Sequence, residues 1–216
     1  MDVKAVFVDA ANTLLKPREP VGVTYARAAR THGIDADPVV VEHQFRAALR
    51  LRRGLAQVGD GRAYWAGVVA ASVGADDAAL NEALYEHYAH PRAWWVDTEA
   101  LRVLAGFARR GVRLGIISNF DTRLRTLYNR FALDRMFPIL VCSAEVEVQK
   151  PDPEIFTLAC ACAGVSPRNA VHVGDDPETD VAGANHAGLV GLQYDDDLGW
   201  KGVADQIAHL RRPYVR

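Results

Sequence analysis

Lysine is scarce in this chain. Only Lys4, Lys16, Lys150 and Lys201 stand among 25 basic residues, the rest being Arg. Cysteine is scarcer still, with Cys142, Cys160 and Cys162 and no Cys-x-x-Cys spacing. An odd count without that spacing argues against a disulfide framework and a zinc site, and it suits a reducing compartment. There is no excess of one charge: 25 basic residues face 27 acidic ones, a formal charge of −2. A surface built to bind nucleic acid needs a cationic excess, so that partner is not expected. Long apolar runs are missing as well. The first, Ala5–Val8, is too short for a signal-peptide core, and nothing approaches the roughly 18 apolar residues of a membrane span. A cytoplasmic protein without a membrane partner is expected.

What is present is an ordinary globular composition, with 216 residues, 50% apolar and 24% charged. That length suffices for one sizeable core and a smaller appendage. Five short apolar runs read as buried strands: Ala5–Val8, Val112–Ile117, Ile139–Cys142, Val171–Val173 and Leu189–Leu192. They are continuous rather than alternating, as a parallel sheet covered on both faces requires. Helical segments precede or separate the last four. Asp97 can cap one that stops at Gly111, Asp152-Pro153 opens a second, and a third is expected from Glu178 to His186. The pattern predicts an α/β fold with a doubly wound parallel sheet.

The interval between the first two strands breaks this rhythm. Residues 17–91 read as helices: Val21–His32, one opened by Asp37-Pro38, Tyr64–Val73, and one opened by Asp76. The expected organisation is a core of residues 1–16 and 92–216 with a small all-helical domain of residues 17–91 inserted into it.

In open parallel sheets, ligands collect beyond the carboxyl ends of the strands. Those ends carry Asp9, then Ser118-Asn119, then Lys150-Pro151, then Gly174-Asp175-Asp176. Singly, each reads as a turn, a solvated side chain or a helix cap. Together they place a carboxylate nucleophile, a hydroxyl, an ammonium and an acidic cluster at one edge.

The segments Asp9-Ala10-Ala11-Asn12-Thr13-Leu14, Ile117-Ser118-Asn119, Lys150-Pro151-Asp152-Pro153 and Val173-Gly174-Asp175-Asp176 through Asp180 resemble those of the haloacid dehalogenase-like (HAD) superfamily. The subgroup resembled has a helical cap after the first strand, and Ser118-Asn119-Phe120-Asp121 is similar to its rhythmically-expressed-gene-like branch. The resemblance implies a magnesium-dependent phosphatase of small phosphorylated molecules. Asp9 would form an aspartyl-phosphate, and Ser118 and Lys150 would hold the transferring phosphoryl group, with backbone N–H groups near Asn119. Asp9, the Ala11 carbonyl, Asp175 and Asp180 would serve the Mg2+ ion, with Asp176 as a competitor for that role.

Ala11 departs from the superfamily pattern. Phosphatases of this kind usually carry a second Asp there, as general acid and base, a function typically worth ~10²–10⁴ in rate. Four readings follow: a phosphatase for good leaving groups or with a borrowed proton donor, a phosphonatase, a 2-haloacid dehalogenase, and a phosphate-ligand binding protein with weak turnover. The phosphonatase needs a lysine in the insert, and residues 17–91 contain none. The dehalogenase needs no metal, against which Asp175, Asp176 and Asp180 stand.

Among the remaining residues, His87 and His90 lack a third ligand, His172 reads as a satisfied core residue, and Cys160 and Cys162 point apart as packing residues. Trp94 and Trp95 read as core or hinge packing, and Asn12 as a turn residue tolerant of positive φ. Arg46, Arg50 and Arg53 share a helical stripe beside Arg52, either a solvated face or a reach for an acidic tail on the substrate.

Overall fold

The computed structural model describes residues 1–52 and 59–210. Seven strands and ten helices follow along the described chain. β1 (Ala5–Val8) leads to β2 (Leu15–Pro17) and then to α1 (Val21–Thr31), α2 (Pro38–Leu51), α3 (Arg62–Val73) and α4 (Ala78–Ala89). Next come β3 (Trp94–Val96), α5 (Thr98–Ala108), β4 (Arg113–Ser118), α6 (Arg123–Arg130), β5 (Ile139–Cys142) and α7 (Ser143–Val146). The chain continues through α8 (Pro153–Ala163), β6 (Ala170–Gly174), a π-helical turn (Pro177–Ala182), α9 (Gly183–His186), β7 (Val190–Gln193) and α10 (Gly199–Leu210). No helix among the described residues is long and apolar enough to cross a membrane.

The main sheet has the order β5-β4-β1-β6-β7 and is parallel throughout. β1 lies at its centre. Because successive side chains of a strand point to opposite faces, Val6 and Val8 enter one core with Leu104, Phe107 and Trp200. Ala5 and Phe7 enter the other, with Ile155, Phe156 and Leu189. Both faces are covered, which explains the unbroken apolar runs.

α1 to α4 pack on one another around Tyr25, Ala29, Val41, Leu80 and Leu84. Asp37 caps α2 by accepting the Val39 and Val40 N–H groups. The cap of α4 is Asp77, not Asp76. Asp77 accepts the Leu80 N–H at 2.7 Å, while Asp76 accepts from the Asn81 side chain. The two ends of this helical insert are joined by a ribbon. β2 and β3 pair antiparallel as a ribbon, Lys16 opposite Trp95 and Pro17 opposite Trp94. The segment expected as a helix from Glu178 is a π-helical turn that passes into α9, and α6, α7 and α10 had no counterpart in the sequence reading. Arg53 of the arginine stripe lies outside the described residues.

Candidate active site

Parallel register brings the strand ends to one edge. Val8 pairs with Ile116 and with Val173, so Asp9, Ser118 and Gly174 leave the sheet side by side. The chain then turns sharply at Asn12, whose φ of 61° bears out the turn reading. Asp9, Ser118, Lys150 and Asp180 are all buried.

Lys150 joins the strand ends. Its Nζ donates to Asp9 Oδ1 and to Asp180 Oδ1, each at 2.6 Å. Asn119 holds Lys150 in place through its side chain: Nδ2 donates to the Lys150 carbonyl at 2.8 Å, and Oδ1 accepts the Lys150 N–H at 2.7 Å. The Asn119 amide therefore works on the lysine loop. The Ser118 hydroxyl is buried at the end of β4 with no hydrogen-bond partner among the described residues.

Asp180 reaches this point because the π-helical turn carries it back over Gly174, where any side chain would run into its carboxylate. Its Oδ1 accepts from Lys150 and His172, and its Oδ2 accepts the Asp176 N–H at 3.1 Å. The Asp176 carboxylate caps the turn instead of joining the cluster, accepting the Glu178 and Thr179 N–H groups. Asp175 accepts from the Thr13 hydroxyl at 3.3 Å.

Carboxylate oxygens of Asp9, Asp175 and Asp180 lie within 4.8 Å of one another. One ammonium faces three acids in a desolvated space. Burial, then the charges of Asp9 and Asp180, pushes the Asp175 carboxyl up to about 7. Burial raises Asp9 too, against the pull of Lys150. Asp180 is held below the usual range, because Lys150 and His172 outweigh its burial. Lys150 stays protonated: burial would lower it, but Asp180 and Asp9 raise it above its ordinary value. Close like charges on hard oxygen donors are what an octahedral divalent cation neutralises.

Above this floor lies a cavity of about 1000 Å³ between the sheet edge and the helical insert. Ala11, Asn119 and Asp175 line its bottom, and Arg50, Tyr64 and Trp65 line its upper wall. Trp94 is buried and Trp95 is 37% exposed, and both border the cavity. Lys16, one residue before the insert, also borders it, but its ammonium is tied to Tyr194 at 2.9 Å and to Asp196. It remains protonated and is no Schiff-base lysine.

A model of the haloacid dehalogenase-like hydrolases matches residues 3–188. The chain belongs to this family. The mouse "Haloacid dehalogenase-like hydrolase domain-containing protein 3" is 36% identical over 194 residues, covering 84% of this chain and 77% of that one. The fruit-fly "Rhythmically expressed gene 2 protein" is 26% identical over 208 residues, covering 86% and 80%. These similarities agree with the branch suggested by Ser118 to Asp121. Among solved structures, the HAD phosphatase from Thermococcus onnurineus superposes with a TM-score of 0.61 at 25% identity, over 87% of this chain and 84% of that one. The L-2-haloacid dehalogenase from Xanthobacter autotrophicus does so at 0.68 and 21% identity, over 96% and 83%, which shows the shared fold.

Two features of this HAD hydrolase escaped the sequence reading. His172 is buried, yet its Nε2 bonds Asp180 at 2.8 Å, so it belongs to the site's surroundings and not only to the core. Asp121 and Arg123, just beyond Ser118-Asn119, form a buried ion pair at 2.7 Å that binds the insert: Trp65 Nε1 donates to Asp121, and Arg123 donates to the Tyr85 carbonyl. The sequence signal was Asp121 itself, an acid directly after Ser118-Asn119-Phe120.

Proposed function

We propose that this protein is a Mg2+-dependent phosphatase of small phosphomonoesters, working through an aspartyl-phosphate on Asp9. The observation that carries this reading is the convergence of Asp9, Lys150 and Asp175 with the Ser118 hydroxyl, unpartnered among the described residues, beneath one cavity. Asp9, the Ala11 carbonyl and Asp175 would hold the ion. Asp180, already engaged by Lys150, His172 and the Asp176 N–H, stands behind them. When bound, Mg2+ supplies charge neutralisation between the carboxylates and a phosphoryl dianion.

The chain's own groups do the rest. An Asp9 oxygen attacks phosphorus, and the bond to the leaving oxygen breaks with its electron pair on that oxygen. Lys150 keeps its proton and stabilises the phosphoryl oxygens as a point charge, while Ser118 donates a hydrogen bond to one of them. Water then attacks the aspartyl-phosphate, releasing phosphate and restoring Asp9. Residue 11 has no proton to give or take, so the leaving group must depart without help from that position. Residues 17–91 would act as a cap over the core of residues 1–16 and 92–216, excluding water during transfer. The free cysteines Cys142, Cys160 and Cys162 fit a cytoplasmic location.

The test is Mg2+-dependent release of inorganic phosphate across a panel of metabolite and acyl phosphates, with Asp9→Asn abolishing it while the fold survives. No release from any member would end the catalytic reading. Ala11 favours one alternative, a protein that binds a phosphorylated ligand with little turnover, and binding without release would support it. Halide release without metal would favour dehalogenation.

A further inference from the structure

One phosphoryl group fills little of a cavity of about 1000 Å³, and the remaining walls have a chemistry of their own. Along the middle stand aromatic rings, among them Tyr64 and Trp65 from α3 and Tyr85 from α4. At the far side, the end of α2 contributes Arg50 and Arg52. Neither has a carboxylate partner among the described residues, and residues 53–58 beside them contain no Asp or Glu.

Two acids that line the same cavity, Glu42 and Glu19, are already engaged. Glu42 accepts the Gly22 N–H at 2.7 Å and pairs with Arg46 at 3.0 Å. Glu19 accepts from Thr24 at 3.1 Å and from Arg27 at 2.6 Å. The Arg52 guanidinium packs against Gly67, where any side chain would have to displace it. Two guanidiniums bordering a cavity with their carboxylate-binding capacity unused suit an anion on the ligand.

The floor adds a second constraint. With Ala11 in place of an acid, the leaving oxygen must carry its own negative charge. A phenol, with a pKa of about 10 as in tyrosine, tolerates this far better than an alcohol, whose pKa approaches the roughly 16 of water. The aromatic walls suit the ring of such a leaving group. Resting on the phosphatase reading, we infer that the substrate is an aryl phosphate whose ring stacks against Tyr64 and Trp65 and whose distal side carries a second anion, bound by Arg50 and Arg52. In the first step the Asp9 O–P bond forms, the P–O(aryl) bond breaks and a phenolate departs. In the second, a water O–P bond replaces the Asp9 bond, and the water proton passes to solvent.

The experiment compares 4-(carboxymethyl)phenyl phosphate with its amide, 4-(carbamoylmethyl)phenyl phosphate, in the presence of Mg2+. The methylene insulates the ring, so the two leaving groups are alike and only the distal charge differs. The acid is expected to exceed the amide at least ~10-fold in kcat/KM, the scale of a charge-assisted hydrogen bond. In Arg50→Gln/Arg52→Gln the ratio is expected to fall toward one. Cyclohexylmethyl phosphate, an alkyl ester, is expected to react ~100-fold more slowly than either. A ratio of one in the wild type, a ratio unchanged in the double variant, or equal rates for alkyl and aryl esters would each overturn the inference while leaving the phosphatase intact. If no ester is hydrolysed, the phosphatase reading fails by itself. Calorimetric titration with the matching acid and amide phosphonates then decides the binding claim, equal affinities refuting it.

Discussion

His172 Nε2, on β6, lies 2.8 Å from Asp180 Oδ1, on the π-helical turn, and both side chains are almost wholly buried. Burial pushes the imidazole pKa down, so the ring is neutral and Nε2 carries the proton that Asp180 accepts. Nδ1 then has neither proton nor partner among the described residues. Since Lys150 donates to the same Asp180 oxygen, His172 fixes the carboxylate that fixes the lysine.

Replacing the donor should therefore loosen Lys150 without touching it. His172→Leu keeps the volume roughly apolar but removes the proton donated to Asp180, and a loss of about 1–3 kcal/mol in stability is expected. A fall in kcat with little change in KM should accompany it. His172→Gln, which can still donate an N–H, should recover part of the rate. Equal kcat in the Leu and wild-type proteins would show that Asp180 needs no help from the strand.

The central sheet was legible because Val6 and Val8 face one core and Ala5 and Phe7 the other, leaving no polar position to interrupt the run. The site was legible for a related reason: parallel strands deliver Asp9, Ser118 and Asp175 to the same edge whatever the loops do. Pairings made only in three dimensions were not. Leu15-Lys16-Pro17 has no strand period, and it becomes β2 because Trp94–Val96 returns beside it. His172 reads as an apolar-run histidine until the π-helical turn folds Asp180 back over Gly174. Trp65 and Asp121 are 56 positions apart, with nothing local in either to announce the hydrogen bond between them.

Asp175 predicts a pH dependence in metal-free protein. Its carboxyl is raised to about 7, burial being the main cause and the charges of Asp9 and Asp180 adding to it. Between about pH 4 and 7 the native state holds a proton there that the unfolded state has released, so stability falls as pH rises through that window. At ~1.4 kcal/mol per unit, the loss is on the order of 4 kcal/mol. Urea unfolding in chelator at pH 4.5 and 7.5, wild type against Asp175→Asn, isolates this contribution. The variant should gain on the wild type as pH rises, and Mg2+ at pH 7.5 should restore the wild type. A difference that stays constant with pH would rule out the raised carboxyl.

The pair Asp121–Arg123 predicts how firmly the insert is seated. Arg123 donates to Asp121 through Nε at 2.8 Å and through a terminal nitrogen at 2.7 Å, and its guanidinium lies 3.9 Å from the centre of the Tyr85 ring. Gly61, at φ 78°, packs so closely that a Cβ would lie 2.7 Å from the Asp121 side chain. Asp121→Asn leaves the guanidinium buried without its counter-ion, a change that costs about 3–5 kcal/mol in such settings. Trp65→Phe removes one hydrogen bond to a charged acceptor and should cost about 1.5–3 kcal/mol. Denaturant melts of both variants check the order, and a loss below ~1 kcal/mol for Asp121→Asn would mean that water already reaches the pair.

Ala11 offers a prediction of gain. The residue borders the cavity directly above the cluster, where a carboxylic acid could reach the leaving oxygen. Ala11→Asp should raise hydrolysis of alkyl phosphates, by up to the ~10²–10⁴ that positioned acid–base catalysis supplies, while aryl esters gain far less because their phenolates leave unaided. A fourth acid beside Asp9, Asp175 and Asp180 adds repulsion, so the metal-free variant should be less stable than the wild type at neutral pH and more dependent on Mg2+. Phosphate release from matched alkyl and aryl esters separates the two effects. An alkyl rate that fails to rise, in a variant that melts with Mg2+ like the wild type, would mean that some other group already moves the proton.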